Sequence, residues 1–160
     1  MQKITPCLWF NFNADEAMEY YQSVFPDFKV THKSFYGDWG GPNAGKLLTA
    51  EFELFGMKMI ALNAGPQFPF TEAISLTINC KGQEEVDYYW NKLTADGGQE
   101  SMCGWLKDKF GLSWQVAPEE LTKLVSGPDK EKAAKAAQAM MKQKKIIIKE
   151  IEDAVNGVPA

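Results

Sequence analysis

The feature that most constrains the fold is a repeat within the 160 residues. Set 68 positions apart, Leu8 stands against Leu76, Asn11 against Asn79 and Glu16 against Glu84. Tyr20-Tyr21 fall on Tyr88-Tyr89, and Met18-Glu19 on Val86-Asp87. Toward the end of each half the offset is 55, so that FGMKMIALN at 55–63 lies over FGLSWQVAP at 110–118. This pairs Phe55-Gly56 with Phe110-Gly111. The shorter offset implies a loss of about 13 residues from the second half, assigned to the Gly-rich segment 37–45. Two blocks in the same order mark a duplicated unit.

Both halves carry the same succession of local signals. ITPCLWFNF reads as a strand. NADEAMEYYQSVFP reads as a helix, with Asn13 as its cap, Asp15 and Glu16 in the first turn and Pro26 as its stop. FKVTHKSFY, KLLTAEFEL and MKMIALNA follow as strands, the last two joined by a tight turn at Phe55-Gly56. GDWGGPNAG between them is a loop. ISLTINC and GQEEVDYYWNKLTADG then restart the pattern. In the stretch MCGWLKDKFGLSWQVAP we expect a hairpin from Met102 to Lys107 and from Leu112 to Pro118, with Trp105 and Trp114 facing each other and Gly111 repeating Gly56. The pattern is βαβββ twice, an α+β fold.

Past Pro118 only helix signals remain. PEELTKLV, PDKEKAAKAAQAMMKQ and IIIKEIEDAVNG read as three appended helices that cover the sheet or a neighbouring subunit. The expected organisation is a domain over 1–118, made of repeats at about 1–66 and 70–118, and a helical extension over 119–160.

Composition narrows the function classes. A net charge of -4 argues against nucleic acid, which needs a basic face. All 17 basic residues are Lys, so any anion must be held by Lys, backbone N–H groups or neutral donors. Cys7, Cys80 and Cys103 form no CxxC pair, which disfavours a zinc knuckle or a disulfide frame. Free thiols, the absence of a signal-type apolar run at MQKITPCLWF and the absence of a membrane span lead us to expect a cytoplasmic protein without membrane contact.

CLWFNFNADEAMEYY, LNAGPQFPFTEAISLTINC and CGWLKDKFGLSWQVAP resemble the PhnB-like family, also labelled demethylubiquinone-methyltransferase-like. That family belongs to the vicinal-oxygen-chelate superfamily with glyoxalase I and the bleomycin-resistance proteins. The resemblance runs over nearly the whole chain, helical tail included. It implies a pair of βαβββ modules, in agreement with the repeat, and a homodimer.

Enzymes of the superfamily hold a divalent metal with His, Gln or Glu side chains, two from each half. Carried over by resemblance, those positions fall at Pro6, Ile60, Ile74 and Gln115, and shifting each by one residue supplies no His and no carboxylate. Gln115 alone is a plausible ligand, and one neutral amide does not hold a transition metal. No metal and no cofactor are therefore expected. The single His32 reads as a surface imidazole. Glu51 and Glu53 share a strand face, and Ser113 and Gln115 share another. With Trp9, Phe10, Trp105 and Trp114 they are the candidates for lining a ligand cleft. Methyl transfer of the Rossmann type is disfavoured, because the Gly-rich segment leads into no helix. The preferred reading is a small-molecule-binding protein without a complete metal site. Its rivals are a metal-dependent lyase, isomerase or dioxygenase, and a structural or regulatory dimer with a filled cleft.

Overall fold

The computed structural model describes residues 2–158. The chain divides into two compact units, Met1–Phe70 and Thr71–Ala160. In the first, β1 (Cys7–Phe10) leads to α1 (Ala14–Val24) and then to β2 (Lys29–Phe35), β3 (Leu47–Leu54) and β4 (Met57–Asn63). In the second, β5 (Ser75–Cys80) leads to α2 (Gly82–Thr94), β6 (Gln99–Glu100), β7 (Trp105–Lys107) and β8 (Ser113–Pro118). The two mixed sheets have equivalent orders, β1-β4-β3-β2 and β5-β8-β7-β6. The first and last strands of each unit pair in parallel, and the other neighbours are antiparallel. The fold is α+β, with the helix of each unit on one face of its sheet.

Alternation fixes which side chains meet the helix. In the first unit Leu8, Phe10, Ala50, Phe52, Met59 and Ala61 are buried on the α1 side. Ala14, Ala17, Met18, Tyr21 and Val24 answer them at helical spacing. In the second, Ile78, Cys80, Leu106, Trp114 and Val116 meet Val86, Tyr89, Trp90 and Leu93 of α2.

Asn13 does not cap α1 as expected, since its side chain makes no capping hydrogen bond. Asn63, at the end of β4, supplies the cap from across the unit. Its Oδ1 accepts from the Ala14 N–H at 2.8 Å, and its Nδ2 donates to Asp15 Oδ1 and to the Leu47 carbonyl.

The second hairpin departs from its expected form. Lys107 pairs with Ser113, Leu106 with Trp114 and Trp105 with Gln115. Trp105 and Trp114 therefore lie on opposite faces and do not meet. The first hairpin turns at Phe55 and Gly56, both with positive φ. The second closes through residues 108–112, organised by Asp108. Gly111 lies in that loop with positive φ, as Gly56 does in its turn, but the connection is longer. The sheet registers carry the same correction. Cys7 pairs with Ile60 and Ser75 with Ser113, so the last strands correspond at an offset of 53 instead of 55. The expected strand start at Met102 is a turn, with positive φ at Cys103 and Gly104.

The tail forms α3 (Glu119–Val125), α4 (Lys130–Met140) and α5 (Ile148–Asn156) and belongs to the second unit. Asp129 caps α4 with its side chain, and Gly157 ends α5 in the left-handed conformation. Ile146 and Ile151 are fully buried. The Cys103 and Gly104 N–H groups donate to the Gln143 and Lys144 carbonyls, each at 2.8 Å. A Cβ on Gly104 would stand 2.7 Å from the Val116 carbonyl oxygen, so this close approach requires glycine.

Candidate functional site

Each sheet turns one face away from its helix. In the first unit that face carries Cys7 and Trp9 from β1, Ile60 and Leu62 from β4, and Thr49 and Glu51 from β3. Trp9 is fixed there by its Nε1, which donates to the Gly65 carbonyl at 2.8 Å, and by the edge of Phe68. Glu51 and Glu53 both lie on this face, Glu51 exposed and Glu53 beside Lys58 at 3.7 Å. Phe10, expected in a cleft, is on the opposite face, 1% exposed and packed edge-on against Phe70.

In the second unit the corresponding face carries Ser75, Thr77, Ser113, Gln115, Trp105 and Lys107. Gln115 Nε2 donates to Ser75 Oγ at 2.9 Å. Ser113 is 1% exposed, and its hydroxyl has no hydrogen-bond partner among the described residues. A pocket of about 190 Å³ opens against Ser113, Trp105, Lys107 and Glu72. Lys107 forms an ion pair with Glu72, whose carboxyl is held below the usual range chiefly by the hydrogen bond from that lysine. Trp114 is absent from this face. It is buried against α2, bonded to Asp108.

Sequence reasoning set Ser113 and Gln115 on one face, as the register has them, but placed Trp105 opposite Trp114 on the other. It missed Ser75, Lys107 and Glu72. Ser75 and Lys107 follow from strand alternation once the register is known, whereas no local signal marks Glu72.

The positions aligned with the superfamily's metal ligands need one adjustment. The alternation of β1 and β5 selects Cys7 and Ser75, not Pro6 and Ile74, for the face away from the helices. Together with Ile60 and Gln115 these supply a thiol, a hydroxyl, an alkyl group and an amide. Desolvation raises the Cys7 pKa. Such a set does not fit a divalent metal, which takes three or four N, O or thiolate donors. Among the described residues no group of three His, Cys, Asp or Glu side chains could hold one.

A duplicated βαβββ unit whose first and last strands pair in parallel, with one sheet face turned from the helix, defines the vicinal-oxygen-chelate, glyoxalase-like class of fold. The model of the family described as 3-demethylubiquinone-9 3-methyltransferase matches residues 2–117, and the chain belongs to this PhnB-like family. The putative 3-demethylubiquinone-9 3-methyltransferase, PhnB protein, from Bacillus cereus is 35% identical, with a TM-score of 0.65. That match covers 73% of this chain and 99% of the relative. A protein from Pseudomonas aeruginosa is 23% identical over 74% of this chain and 98% of its own, with a TM-score of 0.58. FosX, a fosfomycin resistance protein from Listeria monocytogenes solved with Mn(II) and sulfate, is 16% identical. It is covered over 90% of its length and 71% of this chain, with a TM-score of 0.50. The last two likenesses are of fold alone. None of the curated proteins compared with the chain matches it.

The family match ends at residue 117, which corrects the expected extent of the resemblance. The three tail helices lie beyond it. Among the described residues no helix is long and apolar enough to cross a membrane.

Proposed function

We propose that the protein binds a small molecule against the face of the β5-β8-β7 sheet turned away from α2, without a complete metal site of its own. The observation that carries this reading is the pocket beside Ser113, where a buried hydroxyl is left without a partner in a wall that also offers an indole and an ammonium group. Buried hydroxyls are nearly always hydrogen-bonded, and a molecule bound in this pocket that reached Ser113 would satisfy one left unpaired. Ser113, Gln115 and Trp105 are the ligand-facing residues. Trp9, Glu51 and Glu53 belong to the free face of the first sheet and are not assigned to this pocket, and Phe10 and Trp114 act as core.

A small-molecule role also suits the acidic chain, which lacks the basic face needed for nucleic acid. The free cysteines Cys7, Cys80 and Cys103 fit the cytoplasm. We propose a homodimer, following the family resemblance, to be checked by light scattering on the eluting protein.

The test is a fragment screen by NMR on the full chain, together with elemental analysis of tag-free protein. Shifts should cluster on residues 75–77, 105–107 and 113–115. Zinc, nickel or iron retained near one equivalent after dialysis would overturn the metal-free reading.

A further inference from the structure

We propose that the pocket at Ser113 and Lys107 takes the carboxylate of a small aromatic acid, and that Glu72 occupies its place when no ligand is bound. This rests on the small-molecule reading above and names the ligand class.

Three groups converge on one face of the β7-β8 pair. Lys107 stands directly opposite Ser113, and Trp105 lies two residues before Lys107 on the same side of its strand. Directly opposed side chains have Cβ atoms about 4.5–5.5 Å apart, so the ammonium and the hydroxyl can reach one small group together. Trp105 is half-buried and offers a ring for stacking. The pocket, about 190 Å³, is smaller than drug-sized sites of about 300–1,000 Å³ and suits a single-ring compound.

The charge of the ligand follows from which groups are already answered. Glu100, the second carboxylate of the pocket, accepts from Trp90 Nε1 at 3.1 Å and from Lys144 at 3.4 Å. Glu72 is answered by Lys107. Beside the exposed Gln99 and Ser101, Ser113 is the buried polar group left over, and it can donate to an anion. The Glu72 carboxylate itself shows that a carboxylate is accommodated at the Lys107 ammonium. Its side chain is 65% exposed, and an exposed pair of this kind holds weakly. A ligand that also engages Ser113 and Trp105 can displace it. In a chain without Arg, a lysine helped by a neutral hydroxyl is the available way to hold a carboxylate.

The probe is sodium benzoate, titrated into the isotope-labelled full chain while the backbone amides of residues 105–115 and the Trp105 indole N–H are followed. Benzoate should saturate with shifts centred on Trp105, Lys107 and Ser113. Benzamide and benzylamine should bind about tenfold more weakly. Lys107→Gln and Ser113→Ala should each weaken benzoate by about tenfold, the scale of one hydrogen bond to a charged group. Glu72→Gln, an exposed change that leaves the fold intact, should tighten benzoate severalfold by removing the internal competitor. A purely structural Glu72 would not do this. Benzylamine binding better than benzoate, or Glu72→Gln weakening benzoate, overturns the proposal. Failure of benzoate while other fragments shift the same sheet face overturns the carboxylate assignment alone. Absence of any fragment shift on that face overturns both readings.

Discussion

Trp114 and Asp108 are joined inside the second hairpin: the indole Nε1 donates to Asp108 Oδ2 at 2.9 Å, and each residue is only 2% exposed. The other carboxylate oxygen accepts from the Phe110 and Leu112 N–H groups at 2.9 and 3.1 Å. Asp108→Ala would strand three donors at once. Its cost should be about 3 kcal/mol or more in urea unfolding, and Trp114→Phe should cost about 1–3 kcal/mol. An Asp108→Ala protein within about 1 kcal/mol of the parent would show that the loop finds other partners.

Asn63 and Asn13 offer a paired comparison at the start of α1. Asn63 satisfies the Ala14 N–H, while Asn13 makes no side-chain cap. Asn63→Ala should destabilise by about 2 kcal/mol, and Asn13→Ala by under about 0.5 kcal/mol. Equal losses in chemical denaturation would contradict the assignment of the cap.

Thiol labelling should divide the cysteines. Burial, with further contributions from Glu85 and Glu120, pushes the Cys80 thiol up to about 12. The thiolate is the reactive form, so Cys80 should stay unlabelled by iodoacetamide at pH 8 while the protein is folded, and should react once urea is added. Fast labelling of Cys80 in the native protein, read by peptide mass, would refute its placement in the core.

Acid should loosen the contact between α2 and the tail. Asp87 is held below its ordinary pKa chiefly by the hydrogen bond from Lys145, which approaches to 2.7 Å. A depressed carboxyl contributes stability above its unfolded pKa and loses it as pH falls through the folded value. Stability should therefore decline below about pH 4, and Asp87→Asn should flatten that decline. The pair is partly exposed and screened by solvent, so its neutral-pH contribution should be under about 1 kcal/mol. An unchanged acid limb in Asp87→Asn would assign the decline to other groups.

Gln115→Ala should cost no more than about 1 kcal/mol, because its bond to Ser75 lies on a half-buried face. A loss of several kcal/mol in thermal or urea unfolding would place Gln115 in the core.

The strands and helices of both units were legible because alternation and helical spacing are local. The offset of 68 correctly aligned Cys7 with Ser75. The offset of 55 failed because Phe-Gly recurs at 110–111 in a different kind of loop, one shaped by a buried carboxylate. Nothing local announces that Asp108 turns inward, and with it the two tryptophans part to opposite faces. The cap from Asn63 was hidden for a similar reason: Asn13 has the right residue type in the right place, but Asn63, distant in sequence, reaches the helix first. Of the candidate site, the shared face of Ser113 and Gln115 was readable from strand period alone, whereas Trp105 was expected on the face of Trp114. Lys107 needed the register, and Glu72 needed the three-dimensional fold.

The fastening of residues 143–144 onto Cys103 and Gly104 bears on how the chain matures during synthesis. The sheet and helix of the first unit are complete once residue 70 has left the ribosome. The second unit is not complete even with β8 made, because Ile146 and Ile151 belong to its interior and the Cys103 and Gly104 N–H groups wait for carbonyls further along. One half of the duplication can settle during translation. The other must stay open until residues 143–151 have been added.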